Sequence, residues 1–235
     1  CTGRWGAGHV ARSVVPGAPG EYEGSQLLIP LPTLAFWAPT LPVGQRLRVN
    51  GTRFELEDGS PWFGLTATDF LLFNRVLRGE DITQVVEQRK AAGITEHRVT
   101  LLMQFLPGLR GWPILRPEHY AEYWTVLPQF VDLMAGFGQR LKLTAMCDMQ
   151  MISRDVRWQQ DFVAQVVDTL RDKRNVRIET GNEADVNGWD PQTVIDHSAS
   201  GILMSRGSAS IDRPPVTPGF AWHEYHRRRD WPKHA

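Results

Sequence analysis

Between Trp62 and Trp222 the chain alternates runs patterned as short buried strands with runs patterned as helices, and this alternation restricts the fold more than any other feature. Trp62–Thr66, Ile94–Leu102, Leu141–Cys147 and Val176–Thr180 are apolar and β-forming over strand-like lengths. Between them, Ile82–Ala92 sets Ile82, Val85 and Val86 at helical spacing and stops at Gly93. Glu118–Phe137 repeats Tyr120, Tyr123, Trp124, Leu127, Val131 and Met134 at helical spacing, with Pro128 marking a kink or a late start. Asp155–Arg171 carries Trp158, Phe162, Val163, Val166, Val167 and Leu170 in the same manner. After Asp190-Pro191, an N-cap and first-turn pair, a short helix leads to Ile202–Ser205 and Gly207-Ser208, a weak fifth strand, and Val216–Trp222 reads as a sixth. Such alternation predicts parallel βα units, which a doubly wound sheet and a barrel both supply.

One observation removes an alternative and another favours the barrel. No G-x-G-x-x-G or P-loop follows any strand, which removes the usual nucleotide-binding reading. Polar and titratable residues recur just after strand ends (Thr66 and Asp69, Asp148, Asn182 and Glu183, His223 and Glu224), and a (β/α)8 barrel builds its active site at that face. The expected fold is α/β: a TIM-type (β/α)8 barrel over residues 46–235, incomplete at about six βα units because a full barrel needs about 250 residues.

Residues 1–45 are irregular by composition. Pro16, Gly17, Pro19, Gly20, Pro30, Pro32, Pro39 and Pro42 leave no room for a helix, so this stretch is expected to be an arm or the remnant of a preceding domain. Arg46–Val49, Asn50-Gly51 and Thr52–Glu57 carry a hairpin signature, with a second turn at Asp58-Gly59. Lys+Arg and Asp+Glu balance at 26 each, so no global field favours nucleic acid or an anionic membrane, and no apolar run approaches the length of a membrane span. Cys1 and Cys147 make neither a disulfide framework nor a metal site. Cys147 reads as an inert buried thiol, and Cys1 as a sequence boundary, with a lipidated mature terminus as its alternative.

Residues 47–64, from Leu47 to Gly64, resemble the opening hairpin and first strand of clan A glycoside hydrolases, in which a D-G-x-P turn feeds a strand ending in glycine. Ala91-Ala92-Gly93-Ile94-Thr95-Glu96-His97-Arg98-Val99 is similar to their helix-end glycine and second strand, and Gly181-Asn182-Glu183 to their fourth-strand Asn-Glu pair. The resemblance covers about residues 46–230. It implies retaining hydrolysis of a β-glycosidic bond, with Glu183 as general acid/base, Asn182 contacting the sugar 2-hydroxyl and Arg98 supporting the nucleophile. The family's nucleophile is a glutamate at the end of the seventh strand, expected here beyond residue 235; Glu224 is the one late candidate before it. The chain departs from the family pattern in Ala184 after the pair, where proline is common, and in His97 before the arginine.

Around this core, Asp148, Trp189, Trp222, His223, Tyr225 and His226 are expected substrate-binding residues, with Trp112 a further stacking candidate. Each has a plainer role available: a capping or solvated Asp148, core tryptophans, a solvated Glu183, a structural ion pair for Arg98. No H-x-H or H-E-x-x-H accompanies the histidines, so neither metal nor cofactor is expected and a metal-dependent barrel hydrolase ranks last. The expected partner is a carbohydrate or polysaccharide, with a protein partner covering the open barrel edge and the arm. The alternative function is a non-catalytic carbohydrate-binding or structural barrel of a cell-surface or phage assembly, and either role places the chain outside the cell or on a cell or virion surface.

Overall fold

The computed structural model describes residues 43–103, 115–147, 155–183, 200–208 and 222–225. The Pro/Gly-rich arm, save its last three residues, lies outside them, as do Trp112, Asp148, Trp189, the Asp190-Pro191 helix and His226. All described residues belong to one compact unit, Trp37–Ala235.

The first three strands, β1 (Leu47–Asn50), β2 (Arg53–Leu56) and β3 (Pro61–Trp62), form an antiparallel sheet. Asn50 pairs with Arg53, leaving Gly51 and Thr52 as the turn; φ of +61° at the first of them suits glycine. Among the described residues six further strands follow: β4 (Thr66–Thr68), β5 (Glu96–Met103), β6 (Arg140–Cys147), β7 (Val176–Gly181), β8 (Met204–Ser208) and β9 (Trp222–Tyr225). They build one parallel sheet in the order of the chain. A doubly wound sheet reverses its strand order at a switch point; this sheet does not reverse. The arrangement is consistent with part of a (β/α)8 barrel.

Among the described residues the α-helices are α1 (Leu72–Leu77), α2 (Thr83–Ala91), α3 (Tyr123–Gly136) and α4 (Val156–Thr169). Their apolar residues, among them Phe73, Val86, Leu127, Phe130, Val163 and Val166, join one core with Val99, Leu101, Leu141, Leu143, Val176 and Ile178 of the sheet. Tyr123 packs edge-on against Phe73 at 5.1 Å between ring centres, and its hydroxyl donates to the Leu101 carbonyl at 2.6 Å. Burial pushes that hydroxyl well above the ordinary phenol range. Asp155 caps α4 by accepting from the Arg157 N–H at 2.9 Å.

Three sequence expectations are corrected. Trp62–Thr66 is not one barrel strand: Trp62 pairs with Phe54 in the small sheet, and the first parallel strand begins at Thr66. The chain changes sheet at Gly64, where a Cβ would lie 2.0 Å from the Trp62 ring, so any other residue would force that ring to shift. The long helix begins at Tyr123, with Pro128 inside it; a 3-10 turn at Pro117–His119 precedes it, and Tyr120 is extended (φ −137°). The sixth strand is Trp222–Tyr225, so it starts at Trp222, where the sequence pattern places its end; His223 lies within it and Tyr225 is its last residue, while residues 216–221 lie outside the described residues.

The small sheet seats at the N-terminal ends of the parallel strands. Leu47, Leu56 and Trp62 form a second cluster with Leu203, and Arg177, near the start of β7, stacks its guanidinium over Phe54 at 5.2 Å. Arg46 donates to the Ser200 carbonyl at 2.8 Å, and Arg174 pairs with Glu57 at 2.6 Å. This leaves the C-terminal strand ends for other use.

Candidate active site

Side chains alternate across a strand, and on β5, β6 and β7 the face away from the helices carries Glu96, Arg98, Arg140, Lys142, Thr144, Arg177 and Glu179, all buried. They form two tiers. In the lower tier Arg177 grips Glu96 through Nε to Oε1 at 2.7 Å and Nη2 to Oε2 at 2.6 Å, and Thr66 adds its hydroxyl at 3.1 Å. Arg140 lies nearby, and burial lowers its pKa to about 10, with the like charge of Arg177 pushing the same way and Glu96 opposing.

In the upper tier Glu179, which is completely buried, receives Arg98 on both oxygens: Nε to Oε2 at 2.8 Å and Nη2 to Oε1 at 2.9 Å. The Thr144 hydroxyl donates to Oε2 at 2.7 Å and the Lys142 ammonium stands 3.3 Å away. Bidentate pairing of this kind offsets the cost of burying both charges. Arg98 also stacks over the Phe70 ring at 5.6 Å.

From this tier the site rises to the end of β7. Arg98 Nη2 donates to Asn182 Oδ1 at 2.9 Å, and the Asn182 N–H donates to the Met146 carbonyl at 3.0 Å. Glu183 follows, half-buried, with φ of +46°. It is the one non-glycine among the described residues in the left-handed region, a conformation that costs a glutamate about 1–3 kcal/mol and that gathers at functional sites.

The structure therefore brings together Arg98 and Asn182 directly, with Glu183 adjoining them. Arg98 has a carboxylate partner, Glu179, which sequence reasoning did not single out. Trp222, His223 and Tyr225 are placed only as β9 backbone, in register with Ser205, Arg206 and Ser208. Asp148, Trp189 and His226 lie outside the described residues. Asp69, expected at the mouth, serves a different end: its carboxylate accepts from Arg89 of α2 at 3.1 Å and meets His97 Nδ1 at 2.8 Å. The His97 contact first, and Arg89 after it, hold that carboxyl below its usual range. Glu96, Lys142, Thr144, Arg177 and Glu179 were all missed; for all but Glu96 the signal was the strict alternation of polar and apolar residues in Arg140–Thr144 and Arg177–Glu179.

No family model matches the sequence and no curated protein is similar to it. Among solved structures, the chain is similar to a Bacteroides vulgatus protein regarded as a glycoside hydrolase, at a TM-score of 0.57 and 15% identity, over 75% of this chain and 41% of that one. It is similar also to a glycoside hydrolase family 5 structure from the same organism, at a TM-score of 0.51 and 18% identity, over 69% of this chain and 39% of that one. The chain thus spans about two fifths of the length of these two structures. At these identities the likeness is one of fold: the chain has the parallel α/β arrangement of glycoside hydrolase structures, with Asn182 and Glu183 at the end of its fourth parallel strand.

Proposed function

We propose that residues 46–235 supply about six βα units of a glycosidase-type (β/α)8 barrel and that Glu183 is the general acid/base of retaining β-glycoside hydrolysis. The observation that carries this reading is the hydrogen bond from Arg98, on the second parallel strand, to Asn182 of the Asn182-Glu183 pair that follows the fourth. A left-handed glutamate beside a pinned asparagine is an expense that a purely structural loop has no need of.

The chemistry runs in two steps. Glu183, protonated, gives its proton to the glycosidic oxygen as the C–O bond breaks, while a second carboxylate attacks the anomeric carbon and forms a glycosyl ester. Glu183, now ionised, takes a proton from water, which attacks the same carbon and releases the second carboxylate. In such a site the second carboxylate stands about 5–5.5 Å from the acid. Trp189, Trp222, His223, Tyr225, His226 and Asp148 are the proposed sugar contacts, and a polymeric glycan puts the protein outside the cell.

Aryl β-glycosides of graded leaving ability test the assignment. Glu183→Ala is expected to slow cleavage of a phenyl glycoside by roughly 100-fold or more, yet to leave formation of the glycosyl ester from a dinitrophenyl glycoside nearly unchanged. Added azide should restore turnover of the dinitrophenyl substrate and yield a β-glycosyl azide. Equal losses on both substrates with no azide product would sink the role. A second reading, a non-catalytic carbohydrate-binding barrel, is favoured by one feature: Arg98 is already neutralised by Glu179. Saturable glycan binding with no hydrolysis of any substrate would select it.

A further inference from the structure

The upper tier does more than neutralise buried charge. We infer that Glu179 is a positioning residue for Asn182 and Glu183, acting through Arg98 and itself held by Thr144 and Lys142. The inference rests on the glycosidase reading for its catalytic consequence, though not for the coupling itself.

A guanidinium is planar and only donates. With Nε and Nη2 both committed to Glu179, its plane is fixed, and the same Nη2 then points at Asn182. The atom facing a donor-only group must be an acceptor, so Arg98 sets which way round the Asn182 amide sits: Oδ1 inward, the NH2 group away from Arg98. The Asn182 N–H is tied to Met146 on the neighbouring strand, so both ends of the residue are fixed and the backbone enters Glu183 from one direction. Glu179 is positioned in turn by Thr144 at 2.7 Å and Lys142 at 3.3 Å. Gly207 on β8 makes the space: a Cβ there would fall 2.2 Å from Glu179 Oε1 and 2.8 Å from the Gly181 carbonyl oxygen. A simple ion pair would need only Arg98 and Glu179. The additional hydroxyl, ammonium and glycine restrict the carboxylate to one pose, and that pose is transmitted to the strand end.

The test uses Thr144→Val, which deletes one donor with little change of shape, together with Thr144→Ser and Glu179→Gln. The first readout is the side-chain amide resonance of Asn182 in the 15N-labelled chain, assigned by its loss in Asn182→Ala. Thr144→Val is expected to shift it, with the Arg98 Nε–H broadened, and Thr144→Ser to restore both. Glu179→Gln should move them further; should that variant fail to fold, Thr144→Val decides alone. The second readout is kinetic: Thr144→Val should lower kcat roughly tenfold with KM little changed, and should add nothing in an Asn182→Ala background. An Asn182 resonance unmoved by Thr144→Val, or kinetic losses that multiply in the double variant, would overturn the proposal. Absence of any glycosidase activity would remove the proposed function, while the amide resonance would still decide the coupling.

Discussion

Glu96 and Glu179 are carboxylates with no solvent contact, and each survives burial because a guanidinium meets it edge to edge. The cost of such a pair shows when one member is removed, because the other is left charged in a poorly polarisable interior. Glu96→Gln is therefore expected to lower stability by about 3–5 kcal/mol in urea denaturation. The double variant Glu96→Gln with Arg177→Met should recover part of that loss. A single-variant loss below about 1 kcal/mol, the level of an exposed pair, would mean that water reaches this tier. Glu183 carries the other kind of expense, a backbone conformation that suits glycine. Tight charge pairing and backbone strain thus lie within one short strand and the turn after it.

Among the elements, the joint of β4, β5 and α2 depends on Asp69. It sits directly after β4, its N–H donates to the Arg98 carbonyl at 2.9 Å, and its carboxylate holds His97 of β5 and Arg89 of α2. Those partners depress its pKa below the ordinary 3.8. A carboxylate depressed on folding contributes stability that is fully present above its unfolded value and is lost as pH falls through the folded value. The stability gap between the parent chain and Asp69→Asn should then be constant from neutral pH down to about 5 and narrow below about 4. Urea titrations across that range measure it; a gap that stays constant to pH 2.5 would show that the ionised carboxylate is not its source. Helix α4 is simpler, an amphipathic segment with an aspartate cap, and it formed within two residues of where its pattern placed it.

At the scale of the molecule, the antiparallel sheet packs at one end of the parallel strands and leaves the candidate site at the other. A three-stranded sheet this short has little stability alone, so it is expected to melt with the domain and not before it. Trp62 is its anchor, buried at 5% exposure between Leu47, Leu56 and Leu203. Trp62→Ala should cost about 3–5 kcal/mol and keep a single cooperative transition. A separate early transition in thermal unfolding would mean that the sheet folds on its own.

Much of the architecture was legible in the sequence because it is written locally. Apolar β-forming runs and period-3.6 patterns located β5, β6, β7, α2 and α4 within about two residues, and Asn182-Glu183 was recognisable as a strand-end pair. The boundary at Gly64 was not, because it depends on the reach of the Trp62 ring toward a backbone two residues on. Nor was the partner of Arg98: that arginine is 81 residues from Glu179, and only the parallel register of β5, β6 and β7 sets them face to face. The choice between a doubly wound and a singly wound sheet was likewise tertiary, since strand order follows from which edges pair and both folds share one local pattern. The sequence determined by itself which segments are strands and helices and which residue types stand at the strand ends. The tertiary structure decided which of those residues meet, because a charge becomes part of a site only when another strand brings its counterpart within hydrogen-bonding distance.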